Sequence, residues 1–211
     1  MQLIQRQPDL ECSGGVGTYA ATPKALLEHK PHLVTVDIRL GDGNGMDLLK
    51  FIKDEHPSVL TLVISQCDES LYAERALKAG ARGYLMKERA TEEVLSAIRT
   101  VLTGGLFVSP KIATLALNKM IGASPLDRKH NAIQTLTDRE LYVLQLLGAG
   151  LSSRKTAAKL CLSVKTVESH RENIKRKLGI ATAPELVRFA TEWLNNQPPQ
   201  TPKQNQNGGN V

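Results

Sequence analysis

Ser163-Val164-Lys165-Thr166-Val167-Glu168-Ser169-His170-Arg171-Glu172-Asn173-Ile174-Lys175-Arg176-Lys177-Leu178-Gly179 reads as one helix with its start and stop written in. Ser163 is a helix-opening residue type, and Gly179 closes a helix by adopting the left-handed conformation. Val167, Ile174 and Leu178 are spaced to seat the helix on a core. The rest is polar: Lys165, Arg171, Lys175, Arg176 and Lys177 stand against Glu168 and Glu172. A helix apolar on one stripe and polar elsewhere is suited to lie in the major groove of a duplex.

The flanking sequence supplies its companions. Thr137 is followed three residues later by Glu140, the pattern of a capping box. Leu141, Leu144 and Leu147 form an apolar face, and Gly148 and Gly150 end that helix. Ser152 or Ser153 opens a second helix through Ala157, Ala158 and Leu160, and a last one runs from about Ala183 to Leu194. Short helices joined by tight turns make a helix-turn-helix unit.

Leu136-Thr137-Asp138-Arg139-Glu140, Gly150-Leu151-Ser152, Ala157, Leu160, Ser163, Thr166-Val167, His170, Ile174, Lys177-Leu178-Gly179 and Glu185-Leu186-Val187 together resemble the LuxR-type DNA-binding domain. The resemblance implies an all-α four-helix domain that binds double-stranded DNA as a homodimer, with the fourth helix supplying much of the dimer contact. It places Glu168, Ser169 and Glu172 at base-reading positions; Glu can accept from cytosine N4, and Ser can meet either base type. Lys165, Thr166, His170, Arg171 and Lys175 are the phosphate candidates. The chain departs from the family at Lys155 and Thr156, where Glu and Ile are usual. A hydroxyl near the core is expected to soften that turn, while Lys155 can meet phosphate.

The first half has a different rhythm. Leu33-Val34-Thr35-Val36-Asp37-Ile38, Val59-Leu60-Thr61-Leu62-Val63-Ile64 and Gly83-Tyr84-Leu85-Met86 are short apolar runs. Helical segments alternate with them: Met46 to Lys53, Glu69 to Lys78 and Glu92 to Leu102. Such alternation means an α/β layer structure with a parallel sheet covered on both faces. A helix opens at Thr22-Pro23, and Leu10-Glu11-Cys12-Ser13 is expected to form a weaker strand. Ligands gather at the C-terminal ends of parallel strands, where Asp37, Ser65 and Lys87 lie. Asp37 is a candidate phosphoryl acceptor, Lys87 a neutralising cation and Ser65 a hydrogen-bond donor. Equally, Asp37 and Ser65 are placed to cap turns, with Lys87 as surface charge.

Leu33–Leu40, Ser65, Ala79-Gly80-Ala81-Arg82-Gly83-Tyr84 and Lys87 resemble the receiver of a two-component response regulator, more narrowly of the NarL/FixJ family. The resemblance implies a flavodoxin-like fold with Asp37 as phospho-acceptor, Ser65 and Lys87 as phosphate contacts and Tyr84 as the aromatic switch residue. Family receivers open with a strand ending in an acidic pair that holds Mg²⁺. Here Gln7-Pro8-Asp9-Leu10-Glu11 already matches a segment beyond the first helix, so that strand and pair have no counterpart. The receiver is thus expected to lack its first strand. Its metal site would be incomplete, with Asp37 alone of the acidic ligands, and phosphorylation weak or absent. Mg²⁺ is expected as a cofactor only with the acidic pair restored.

The expected organisation is an incomplete receiver over 1–104, a linker over 105–130, the DNA-binding domain over 131–194 and a disordered tail over 195–211. Charge follows the same division: residues 1–104 carry 12 basic and 14 acidic side chains, and 131–194 carry ten and six. A basic second half suits a polyanionic partner. In the linker, Ala113, Leu115, Ala116 and Met120 form an apolar stripe that can pack on either domain or on a partner subunit, with packing on the chain itself expected. Cys12, Cys67 and Cys161 have neither disulfide-framework nor zinc spacing. With no apolar run near 20 residues and no signal-like start, a cytoplasmic protein is expected.

These readings converge on a sequence-specific transcriptional regulator of a two-component system, not an enzyme, partnered by a histidine kinase if the receiver works. Two other readings stand beside it. One is a constitutive DNA-binding regulator using the receiver as a dimerisation scaffold. The other is a phospho-acceptor protein with vestigial DNA binding.

Overall fold

The computed structural model describes residues 3–40, 42–88, 91–121, 132–160 and 162–196. The expected tail from residue 197 onward, linker residues 122–130 and residue 131 lie outside them. After a helical turn at Ile4–Arg6, the first half runs α1 (Thr22–His29), β1 (Leu33–Val36), α2 (Gly45–Glu55), β2 (Leu60–Ser65), α3 (Glu69–Lys78), β3 (Gly83–Met86) and α4 (Thr91–Leu102). The strands are parallel in the order β1-β2-β3, with Leu33 opposite Leu60 and Leu62 opposite Gly83. Successive strand residues point to opposite faces. Val63 and Tyr84 therefore join Leu49, Ile52, Ala73 and Ala76 in one core, while Leu62 and Leu85 meet Ala97, Ile98 and Val101 of α4 in another. Phe107 bridges to Gly83 and covers the outer edge of β3.

Two expectations fail here. Leu10–Ser13 is not a strand. β1 is an edge of the described three-stranded sheet, and the segment forms no ladder with it. An extended segment with no ladder partner has nothing to hold it as a strand. Leu10 instead packs, half-buried, against the α4 core.

The second failure concerns α5 (Pro110–Met120). Its start is tied to α3 by Ser109 Oγ, which donates to Glu69 Oε1 at 3.0 Å, and Ile112 is buried. The predicted stripe is not covered: Ala113, Leu115, Ala116 and Met120 are all exposed. One helix can bury only part of its circumference on a single neighbour, and Ile112 lies on the buried side.

The second half comprises α6 (Asp138–Gly148), α7 (Ser153–Leu160), α8 (Val164–Leu178) and α9 (Ala183–Asn195). Capping boxes form at Thr137 with Glu140 and at Thr182 with Glu185. Gly148 lets α6 and α9 touch, since a Cβ there would collide with the Ala190 carbonyl. The two halves meet through α6 and the segment before it. Arg75 of α3 donates to the carbonyl oxygens of Leu136 at 2.7 Å and Gln134 at 3.0 Å. Asp138 receives Lys50 Nζ at 2.8 Å, and Tyr142 OH donates to the Gly43 carbonyl at 3.3 Å.

Candidate functional site

At the C-terminal ends of the strands, Asp37 stands just past β1 in a turn pinned by Gly45. The Gly45 amide donates to the Ile38 carbonyl at 2.8 Å, and a Cβ on Gly45 would strike the Asp37 carbonyl. This close approach brings three predicted residues together. Ser65 Oγ donates to Asp37 Oδ1 at 2.9 Å, and Lys87 Nζ reaches Asp37 Oδ2 at 2.6 Å. The Arg39 amide also donates to Oδ1, at 3.2 Å. Tyr84 is not at the carboxylate. It is buried, with its hydroxyl donating to the Cys67 carbonyl at 2.7 Å. Burial pushes its phenol well above the usual tyrosine range.

The donor set does not fit Mg²⁺, which needs several oxygens in near-octahedral array. Among the described residues no three metal-ligating side chains come together. Asp42, the next carboxylate along the chain, turns both oxygens to the amides of Tyr19 and Ala20, at 2.6 and 3.1 Å. Among the described residues, Asp37 is instead held in an ion pair with Lys87.

The second cluster lies on α8. Ser163 Oγ accepts from the Thr166 amide at 3.0 Å, and Gly179 closes the helix at φ 68°. Val167 and Ile174 are fully buried. Lys165, Thr166, Glu168, Ser169 and Glu172 are exposed on the outer face, with His170 at its margin. Ser169 Oγ donates to the Lys165 carbonyl at 3.0 Å, leaving its lone pairs outward. Thr166 is partly committed, because its amide and hydroxyl both engage Ser163.

Two predicted phosphate residues are placed differently from this outer face. The Arg171 side chain is 15% exposed, donates to Ser153 Oγ and lies 3.5 Å from Glu168. Lys175 is 16% exposed and pairs with Glu172 at 3.0 Å. Arg171 ties α8 to α7 and orients Glu168. Lys177 is half-buried and meets the buried Glu140 at 2.6 Å. Missing from the sequence-predicted set are Arg154 and Lys159, which α7 exposes together with Lys155. Their signal was charge alone, which does not say which helix face is open.

Comparisons with known proteins match both halves of the chain. Residues 2–99 match the model of the response regulator receiver domain, and 134–190 match that of bacterial regulatory proteins of the luxR family. Oxygen regulatory protein NreC of Staphylococcus aureus is 32% identical over 191 residues, covering 89% of this chain and 88% of its own. The RcsB response regulator of Salmonella typhimurium superposes with a TM-score of 0.67 at 21% identity, covering 90% of this chain and 88% of RcsB. RcsB of Salmonella enterica serovar Typhimurium bound to promoter rprA in the presence of the phosphomimetic BeF3⁻ gives 0.64 at 20% identity, covering 90% of each chain.

Proposed function

The chain belongs to the response regulators that join a receiver to a LuxR-family DNA-binding domain, and from that premise we propose that it regulates transcription by reading duplex DNA with α8. The observation that carries this reading is the open outer face of α8: a capped, core-seated helix whose Lys165, Glu168, Ser169 and Glu172 are exposed. Glu168, Ser169 and Glu172 read base edges. Lys165 and His170 meet phosphate, joined by Arg154 and Lys155 from α7, while Arg171 and Lys175 position Glu168 and Glu172. Asp37 is the phospho-acceptor position, with Ser65 and Lys87 as its contacts and Tyr84 as the switch residue. A homodimer on a dyad-symmetric site, a histidine kinase upstream and a cytoplasmic setting complete this reading. No described helix is long and apolar enough to cross a membrane.

A second reading, binding without phosphorylation, is favoured by one observation. The α8 face is open while α6 is still docked on α2 and α3, so release from the receiver is not needed to expose it. The test is selection of duplexes from a random pool by the unphosphorylated full chain, followed by salt titration. Salt-dependent, sequence-selective binding supports regulation, and affinity unchanged by a phospho-donor with Mg²⁺ supports the second reading. No binding to any duplex at low salt would overturn both.

A further inference from the structure

We propose that the cleft where α2 and α3 meet the start of α6 binds a compact anion carrying a diphosphate group, and that this anion competes with Asp138 for the cations that dock the second half. The inference does not depend on the DNA-binding reading. The cleft encloses about 240 Å³. α2 lines it with Lys50, Lys53 and Asp54, α3 with Arg75 and Lys78, and the first turn of α6 with Asp138. Lys50 and Lys53 are three residues apart, as are Arg75 and Lys78. That spacing turns both cations of each helix to one side. Four cations therefore face two carboxylates, and the cleft is electropositive.

Asp138 shows how the cleft grips an oxyanion. One of its oxygens lies 2.8 Å from Lys50 Nζ and the other 3.3 Å from Arg75, so one cation from each helix holds a single group. Lys53 and Lys78 again supply one cation from each helix, but their contacts are weak. Among the described residues no carboxylate pairs with Lys53. Its ammonium reaches the Lys78 carbonyl at 3.5 Å, at the outer limit of a hydrogen bond. Its stem lies against Gly80, where a Cβ would come within 2.9 Å of it, and this close packing aims the ammonium across to α3. Lys78 pairs with Glu74 of its own helix, with side chains 76% and 48% exposed, a contact of little worth in water. A phosphoryl group between Lys53 and Lys78 replaces both contacts with charge-assisted hydrogen bonds. A second phosphoryl group linked to it reaches Lys50. Pockets for drug-sized ligands start at roughly 300 Å³, so the cleft suits a compact anion and not a whole nucleotide. An anion at Lys50 repels Asp138 and takes its partner. Binding thus loosens the docking of α6, and by linkage a loosened junction binds the anion more tightly.

Isothermal titration of the full chain with inorganic pyrophosphate, in the absence of Mg²⁺ and DNA, is the test. Saturable binding is expected. Lys53→Gln combined with Lys78→Gln, both at exposed positions, should weaken it by at least about tenfold with an unchanged circular dichroism spectrum. Lys24→Gln combined with Lys30→Gln removes the same charge from exposed positions at α1 and should leave the affinity unchanged. Asp138→Asn should bind more tightly than wild type, and saturating pyrophosphate should raise the wild-type radius of gyration. No saturable binding by wild type overturns the proposal. So does full affinity in the Lys53 and Lys78 variant, or an equal loss in the α1 control, which would show net charge alone at work. Orthophosphate bound as tightly as pyrophosphate overturns the diphosphate assignment. Unchanged affinity in Asp138→Asn, or unchanged scattering, overturns the competition with Asp138.

Discussion

Lys177 Nζ sits 2.6 Å from Glu140 Oε2, tying the last turn of α8 to the capping box that starts α6. Glu140 thus does two things at once, since the same oxygen accepts from the Thr137 amide at 2.8 Å. Burial pushes its carboxyl up, but the Lys177 ammonium and the Thr137 amide outweigh that, leaving it below the ordinary glutamate value. A lowered folded-state pKa contributes stability that is present above the unfolded value and is lost as pH falls through the folded one. Thermal melts of wild type and Glu140→Gln should therefore differ at neutral pH, with wild type the more stable, and converge as the pH falls below the ordinary glutamate range. A gap that persists at pH 3 would show that the carboxylate's charge is not the stabilising feature.

Thr156 Oγ1 is buried with no hydrogen-bond partner among the described residues. The family's usual residue there is apolar, and an unsatisfied hydroxyl carries its full desolvation cost. Thr156→Val keeps the shape and removes that cost. Urea denaturation should show the variant more stable by about 1 kcal/mol. A loss of stability would mean that the hydroxyl is bonded in solution.

Arg75 holds the two halves together from a site that is 15% exposed, with Leu136, Gln134 and Asp138 as acceptors. Hydrogen bonds to a charged donor are worth about 1.5–3 kcal/mol. Arg75→Ala should loosen the junction without unfolding either half. The expected result is a larger radius of gyration by small-angle scattering and faster amide exchange around Gly43, where Tyr142 docks. Unchanged scattering would assign the docking to the apolar contacts alone.

Lys165 and Glu172 are predicted to fail differently. Lys165→Ala should weaken binding to all duplexes roughly alike and lower the salt slope by about one ion. Glu172→Ala removes a base-reading carboxylate and also frees Lys175, its partner at 3.0 Å. General affinity should hold or rise while preference among sequences falls. Competition binding with matched and scrambled duplexes separates the two, and equal losses for Glu172→Ala on both would remove it from the base-reading set.

Asp37 is predicted to be a poor acceptor. Its carboxylate is held by Lys87 and Ser65, and among the described residues no further metal-ligating side chains gather round it to meet the needs of Mg²⁺. Incubation with a small-molecule phospho-donor and Mg²⁺ should give little or no mass shift by intact-protein mass spectrometry. Rapid, stoichiometric modification lost in Asp37→Asn would overturn this.

The bounds of α8 and α3 were legible in residue order alone. Caps, glycine stops and apolar periodicity act within a few residues, so Val164–Leu178 and Glu69–Lys78 needed no tertiary information. The same holds for the alternation that makes the sheet parallel, and for the meeting of Asp37, Ser65 and Lys87 at its strand ends. Other features depend on partners distant in the chain. Leu10–Ser13 has strand composition but no neighbour to bond. A helical wheel places Arg171 on α8 but not beside Ser153, and shows a stripe on α5 without saying what covers it. The docking of Arg75 on Leu136 and Asp138 spans about sixty residues. Local backbone preferences are a property of sequence neighbours, whereas burial and pairing are set by which surfaces the folded chain brings together, and only the tertiary structure decides that.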